Sequence, residues 1–312
     1  MRHSAPSPAR AARLPAAFAL CAVLACLAPA RVAADSPAAH AAGDTAAAWR
    51  TTVEQVSAGI DNGARAAAIG ARLDALGVAW RAEPFERQGK AGRNLVADLG
   101  GPQGAPLLLI GAHYDRVDVG HGATDNASGV AAVLELGRAL QARPLASHRV
   151  QLVFWDLEEH GLLGSRAWVE TPGRERPALY VNFDVFGWGD TLWMMAPDGE
   201  APLVKALRQA SAAHGVGFVA GERYPPTDHQ AFLRAGWPAV SFSRVGGAEI
   251  AGILDVFAGA APQPAPRVMQ VIHSARDDVS ELDARHLPAA LRALEDGLRG
   301  WDRTAAAAAG AP

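Results

Sequence analysis

Cysteine is almost missing from this chain: there are two, Cys21 and Cys26, and both fall within the first thirty residues. Anything matured beyond them carries no disulfide, so stability must come from an apolar core or from a bound metal. Beyond that leader there is also no apolar run approaching the roughly 20 residues that cross a bilayer, which argues against a stably inserted membrane protein. Excess positive charge is missing too. The formal net charge is −3, and removing residues 1–34 takes away Arg2, Arg10, Arg13 and Arg31 but no acid, leaving −7. That balance argues against nucleic acid and anionic membrane surfaces as partners. Finally, no internal repeat and no linker divides the chain, so the roughly 280 remaining residues fit one large α/β domain.

What is present at the start reads as an address. The basic residues Arg2, Arg10 and Arg13 precede the apolar run Ala16–Ala28, and small-residue sites follow at Ala28-Pro29-Ala30 and Val32-Ala33-Ala34. This is the pattern of a cleaved secretory signal over residues 1–34, and it predicts an exported, periplasmic or secreted, protein. A lipid-anchored form at Cys26 is the lesser alternative, because Leu24 is bulky for a lipoprotein site. Residues 35–44 read as a disordered remnant, 45–303 as a single domain, and 304–312, TAAAAAGAP, as a flexible tail.

Within the domain, Thr45 to Gly77 suits two helices. Apolar runs then recur at Leu107–Gly111, Val150–Trp155, Ala178–Phe183 and Ala239–Phe242. Helical stretches separate them at Asn126–Ala142, Leu162–Glu170, Ala201–His214 and Asp228–Ala235. Arg93–Leu99 and Thr191–Met195 read as further strands, placed at sheet edges. Runs without alternation imply strands covered on both faces, as in a mostly parallel sheet sandwiched by helices.

Ligands of open α/β sheets bind beyond the carboxyl ends of the strands. Here Leu107–Gly111 runs into His113 and Asp115, Val150–Trp155 into Asp156 and Glu158-Glu159-His160, and Ala178–Phe183 into Asp184. Val268–Ile272, read as a fourth such run, leads to His273 and Asp277-Asp278. Imidazoles and carboxylates converging on one edge suit zinc, and two Zn²⁺ can share a bridging carboxylate. Three ligand carboxylates and one hydroxide would balance the four positive charges of such a pair. Asp115 is placed to accept the remaining ring N–H of His113 and fix its tautomer.

The blocks GAHYDRVDVGHGATDNASGVA, FWDLEEHGLLGSRAW, NFDVFG, TDHQAFLRAGWPAVSF and IHSARDD, in this order from about Asn94 to Asp278, resemble the M28 family of zinc exopeptidases. The resemblance implies a phosphorylase/hydrolase-like three-layer α/β sandwich with a mixed central sheet. It implies two zinc ions per chain: His113 and Asp184 on one, Glu159 and His273 on the other, Asp125 bridging both, and Glu158 as general base. It further implies peptide substrates, and an aminopeptidase reading rests on it alone. A glutaminyl-peptide cyclotransferase shares the scaffold with one zinc, but typically has Trp where Ile272 stands and lacks the His supplied here by His113. A carboxypeptidase of the same scaffold and a metal-free binding module compete with these two readings. A monomer is expected.

Smaller assignments follow. Tyr224, four residues before Asp228, resembles a Tyr that donates to the tetrahedral oxyanion in some secreted aminopeptidases; packing on Pro225 is the plainer role. Asp228 reads as a helix N-cap, or as support for the site through its block. Asp156 reads as a cap of strand-end backbone, and His121 and His160 as loop residues. Trp155, Trp168, Trp193 and Trp237 read as core, while Trp188 is the candidate to line a substrate pocket.

Overall fold

The computed structural model describes residues 37–309, so the leader, with Cys21 and Cys26, lies outside the described residues. The chain opens with helices α1 (Pro37–Ser57) and α2 (Asn62–Ala75) and strands β1 (Trp80–Arg87) and β2 (Lys90–Gly100). Then come β3 (Leu107–His113), α3 (Ser128–Ala142), β4 (Arg149–Trp155), α4 (Leu163–Val169), β5 (Leu179–Phe183) and β6 (Thr191–Met195). The remainder is α5 (Pro202–Ala213), β7 (Gly217–Gly221), α6 (His229–Arg234), β8 (Ala239–Val245), α7 (Ile250–Phe257), α8 (Arg267–Val271) and α9 (Leu287–Ala309).

Both ends of the described residues are more helical than the sequence reading expects. Helix α1 begins at Pro37, inside the stretch read as a disordered remnant, and α9 continues to Ala309, inside the stretch read as a flexible tail. Alanine carries the highest helix propensity, and Pro is accommodated in a first turn. Helix α2 starts where the Asp61 carboxylate accepts the Ala64 N–H. It stops where Gly77 turns to φ +66° and the Val78 N–H reaches back to the Leu73 carbonyl.

The eight strands form one mixed sheet in the order β1-β2-β4-β3-β5-β8-β6-β7. Strands β4, β3, β5 and β8 run parallel in the middle, β2 pairs antiparallel with β4, and β6 antiparallel with β8. Neither β2 nor β6 is an edge strand, contrary to the expectation from sequence. The edges are β1, whose exposed residues and Pro84 suit a rim, and the small-residue strand β7. The unbroken apolar run of β3 resolves into two faces. Leu108 and Ile110 enter a large core with α1, α2, α3, α5 and α9, whereas Leu107 and Leu109 join Trp155, Trp168, Tyr180 and Phe232 against α4 and α6. Ile110 is fully buried; truncation to Ala would cost about 2–5 kcal/mol. No helix of the described residues is long and apolar enough to cross a membrane.

This topology places the site. From β3 the chain moves to β4 on one side, whereas from β5 it moves to the other, so the crevice between the carboxyl ends of β3 and β5 is a switch point. His113 ends β3, and Asp184 follows β5.

Candidate metal centre

His113 Nε2 lies 3.2 Å from Asp125 Oδ1 and 3.4 Å from Asp184 Oδ1. His273 Nε2 lies 3.2 Å from Asp125 Oδ2 and 3.2 Å from Glu159 Oε2. The two oxygens of Asp125 thus face two different imidazoles. The residues sort into two trios, His113–Asp125–Asp184 and Asp125–Glu159–His273, with the donor atoms in each within 4.8 Å of one another. Glu158 belongs to neither trio, although it lines the same cavity. The structure therefore brings all five expected ligand positions together and separates the adjacent glutamates.

The turns that aim these side chains are strained. Leu157, before Glu158, has φ +59°; Val185, after Asp184, has φ +58°; His273 itself has φ +56°. A β-branched residue such as Val avoids this region, and such geometry persists only where the surroundings over-determine it. Here they do. Asn126 ties the Asp125 turn to the end of β5, donating to the Phe183 carbonyl and accepting the Val185 N–H. Ser128 Oγ accepts the Phe186 N–H. On the far side of the same turn, Asp277 accepts the Thr124 N–H at 2.6 Å and the Asp125 N–H at 3.1 Å.

Asp115 does more than the sequence expectation gives it. Its two oxygens accept the backbone N–H groups of Glu158 (2.9 Å) and Glu159 (3.1 Å). The same carboxylate lies 3.4 Å from His113 Nδ1, so it faces the imidazole while it holds the glutamate turn. Asp228 departs from the helix-cap expectation. It is fully buried, caps no helix N–H, and neither of its oxygens has a hydrogen-bond partner. Asp156 does serve strand-end backbone, accepting the Arg93 N–H and the Asn62 amide. His121 and His160 are exposed.

Electrostatics show a centre short of positive charge. Among the described residues, the ion-pair partners of Asp125, Glu159 and Asp184 are the two imidazoles alone, with no Arg or Lys. Burial favours the neutral imidazole of His113, yet Glu158, Asp115, Asp125 and Asp184 outweigh it and hold its pKa well above the usual range. Hydrogen bonds to Asp125 and Glu159 push His273 up to about 10. Burial, reinforced by the carboxylates of Asp228, Asp184 and Asp115, raises Glu158 well above an ordinary carboxyl. A cluster that would hold protons on both imidazoles at neutral pH is one that divalent cations would satisfy. Asp184 Oδ1, buried with no hydrogen-bond partner, fits the same requirement.

A cavity of about 260 Å³ opens over the trios. One wall carries His113, Asp125, Glu158, Glu159, Asp184 and His273; the other is apolar, with Trp193, Val245, Ile253, Phe257, Val268 and Met269. Trp193, read as core, lines this cavity, whereas Trp188 is buried behind it and donates to Glu249. Tyr224 also lines the cavity, beside Trp193 as well as Pro225, and burial pushes its hydroxyl up and keeps it protonated. That hydroxyl bonds Ser243 Oγ, which itself donates to the Asp184 carbonyl. With the Ser243 proton so committed, the Tyr224 proton goes to Ser243.

The roles of two buried residues escape sequence reasoning. Asp277 is read from sequence only as an acid near the site edge, with no role, and its partners lie 152 and 153 residues away. Arg65 of α2 donates to the carbonyls of Tyr114, His121 (3.0 Å) and Gly122 (3.1 Å), gripping the loop between His113 and Asp125. No local pattern announces either.

Known proteins share parts of this sequence and this fold. Leupeptin-inactivating enzyme 1 of Streptomyces exfoliatus is 33% identical over 172 residues, covering 54% of this chain and 39% of that protein. The match thus spans about two fifths of that relative's length. The fold matches glutaminyl cyclase of Porphyromonas gingivalis with a TM-score of 0.66 at 23% identity, over 81% of this chain and 97% of that one. It also matches a zinc aminopeptidase from Bacillus subtilis with a TM-score of 0.54 at 22% identity, over 68% of this chain and 50% of that one. The model of peptidase family M28 matches residues 94–296, the stretch that carries both trios and Glu158, and the chain belongs to that family.

Proposed function

We propose that the protein is an exported di-zinc aminopeptidase. The observation that carries this reading is the pair of trios sharing Asp125, with Glu158 beside them and outside both. His113, Asp125 and Asp184 would hold one zinc, and Asp125, Glu159 and His273 the other. When bound, such a pair lowers the pKa of a water and polarises the scissile carbonyl. The remaining work falls to the chain's own groups. Glu158, whose burial raises its proton affinity, takes a proton from the attacking water and returns it to the leaving amine nitrogen. Tyr224 would donate to the oxyanion by exchanging its Ser243 partner for substrate.

The apolar wall supports a narrower substrate class. Trp193, Val245, Ile253, Phe257 and Met269 offer a surface for a large aliphatic or aromatic side chain next to the carboxylates. Peptides with Leu, Met or Phe at the amino terminus fit this reading best.

A second reading, glutaminyl cyclisation, is favoured by the match along nearly the whole glutaminyl cyclase chain. It needs one cation, and the first trio with His113 would then have no task. The deciding experiment supplies purified mature protein and zinc with free, amino-blocked and Gln-initial peptides, alongside metal analysis. Release of free amino-terminal residues with about two zinc per chain supports the first reading. Cyclisation of Gln peptides with one zinc supports the second, and a folded protein that holds no metal defeats both.

A further inference from the structure

The geometry points to Asp277 as a positioning residue for both halves of the centre, acting through the backbone of Asp125; the inference rests on the di-zinc reading above. Asp277 is 1% exposed. One carboxylate oxygen takes the Thr124 N–H at 2.6 Å and the other the Asp125 N–H at 3.1 Å. Its own carbonyl accepts the His121 N–H at 2.8 Å. The contact is close enough to need glycine: a Cβ on Gly120, at φ +76°, would lie 2.3 Å from the Ser274 carbonyl oxygen. The loop carrying His273 is thereby fastened to the loop carrying Asp125.

Aspartate has only two side-chain torsions, so fixing the backbone of Asp125 confines its two oxygens to a few positions. Those oxygens are the one element common to the trios, facing His113 and His273 respectively. A shift of this backbone therefore weakens both sites at once. A change at Glu159 or Asp184 touches one site only. Asp115 uses the same two-pronged grip on the Glu158–Glu159 turn, so the centre is braced twice, each time by a carboxylate a few residues beyond a histidine ligand.

An amide at position 277 can accept only one of the two N–H groups, since its nitrogen is a donor. The test equilibrates the mature protein with buffers of graded free zinc and counts bound metal directly, for wild type, Asp277→Asn and Asp278→Asn. Asp278 is the control, because its carboxylate caps the Ser280 N–H and lies 3.9 Å from the exposed His121 imidazole, without touching the Thr124 and Asp125 N–H groups. Asp277→Asn is expected to weaken both sites in parallel by about 10- to 100-fold, the usual cost of disturbing a ligand's support, with Asp278→Asn unchanged. Should Asp277→Asn not fold, Asp277→Glu keeps the charge but pushes the Asp125 turn outward, and the same joint weakening is expected. Unchanged isotherms, weakening of one site alone, or equal loss in Asp278→Asn would overturn the role. A wild type that binds no zinc would instead overturn the di-zinc reading itself.

Discussion

The two trios share a residue yet are held in different ways. His113 closes a central strand and Asp184 follows another, and their side chains are 2% and 18% exposed. His273 sits on a loop after the single turn of α8, with a side chain 51% exposed, although its partner Glu159 is 9% exposed. One site is therefore built on the sheet, the other is completed by a loop. Sheet-borne ligands inherit the rigidity of the core, while a loop-borne ligand can leave without disturbing it. The first cation should be the more tightly held, and the second should exchange first with a chelator.

The largest expected effect lies where the trios meet the glutamate turn. Glu158→Gln should keep both zinc ions and fold normally, yet lose at least about a hundredfold in turnover. Glu159→Gln should weaken the second site and respond partly to added zinc. If Glu158→Gln sheds metal while Glu159→Gln retains it, the two roles are reversed.

Next come the histidines, where the contrast is sharpest. His113→Ala should cost metal and stability together, because it leaves Asp184 without an imidazole partner and buried Asp125 with His273 alone; a fall in Tm of several degrees is expected. His273→Ala should lose one zinc with the Tm of the metal-free protein almost unchanged. Equal Tm losses in the two metal-free variants would erase the distinction between a sheet-borne and a loop-borne site.

Tyr224→Phe is expected to cost about a hundredfold in turnover if its hydroxyl reaches the oxyanion. Unchanged turnover would leave it as the residue that merely holds Ser243 against Asp184. The smallest effect belongs to the apolar wall. Ile253→Asn should raise KM for Leu-initial peptides roughly tenfold with little change in kcat, since it removes contacts made equally in ground and transition states. An Ala-initial peptide should be nearly indifferent, and equal losses for both would detach this wall from side-chain selection.

The parallel strands and the strand-end chemistry are legible in the sequence because both are local. A buried strand must be apolar throughout, and His113, Glu158, Glu159 and Asp184 each sit just where such a run stops. Misreadings arise where one local pattern is shared by different structures. Val268–Ile272 is as apolar as a strand, but it is one helical turn entered from Pro266, with the Val268 N–H taken by Glu249 from a distant loop. Strand β7, Gly217–Gly221, is too short and small to stand out. Asp228 has the sequence of a cap and the surroundings of a buried acid, with a carboxyl that burial pushes up to about 7. Asp277 and Arg65 act through backbone groups far away in sequence, which no spacing rule can reveal.

Arg65 carries a consequence for where the functional unit begins. The family match starts at residue 94, yet the carbonyls of Tyr114, His121 and Gly122 rely on a guanidinium in α2. The early helices thus resemble a subunit permanently fused to its partner: covalently upstream, but part of the same cooperative block as the centre. When α2 lifts from the core, the loop between His113 and Asp125 loses all three donors in a single step. Local unfolding of the amino-terminal helices is then expected to loosen this loop, while Asp277 still holds its far end at Thr124 and Asp125.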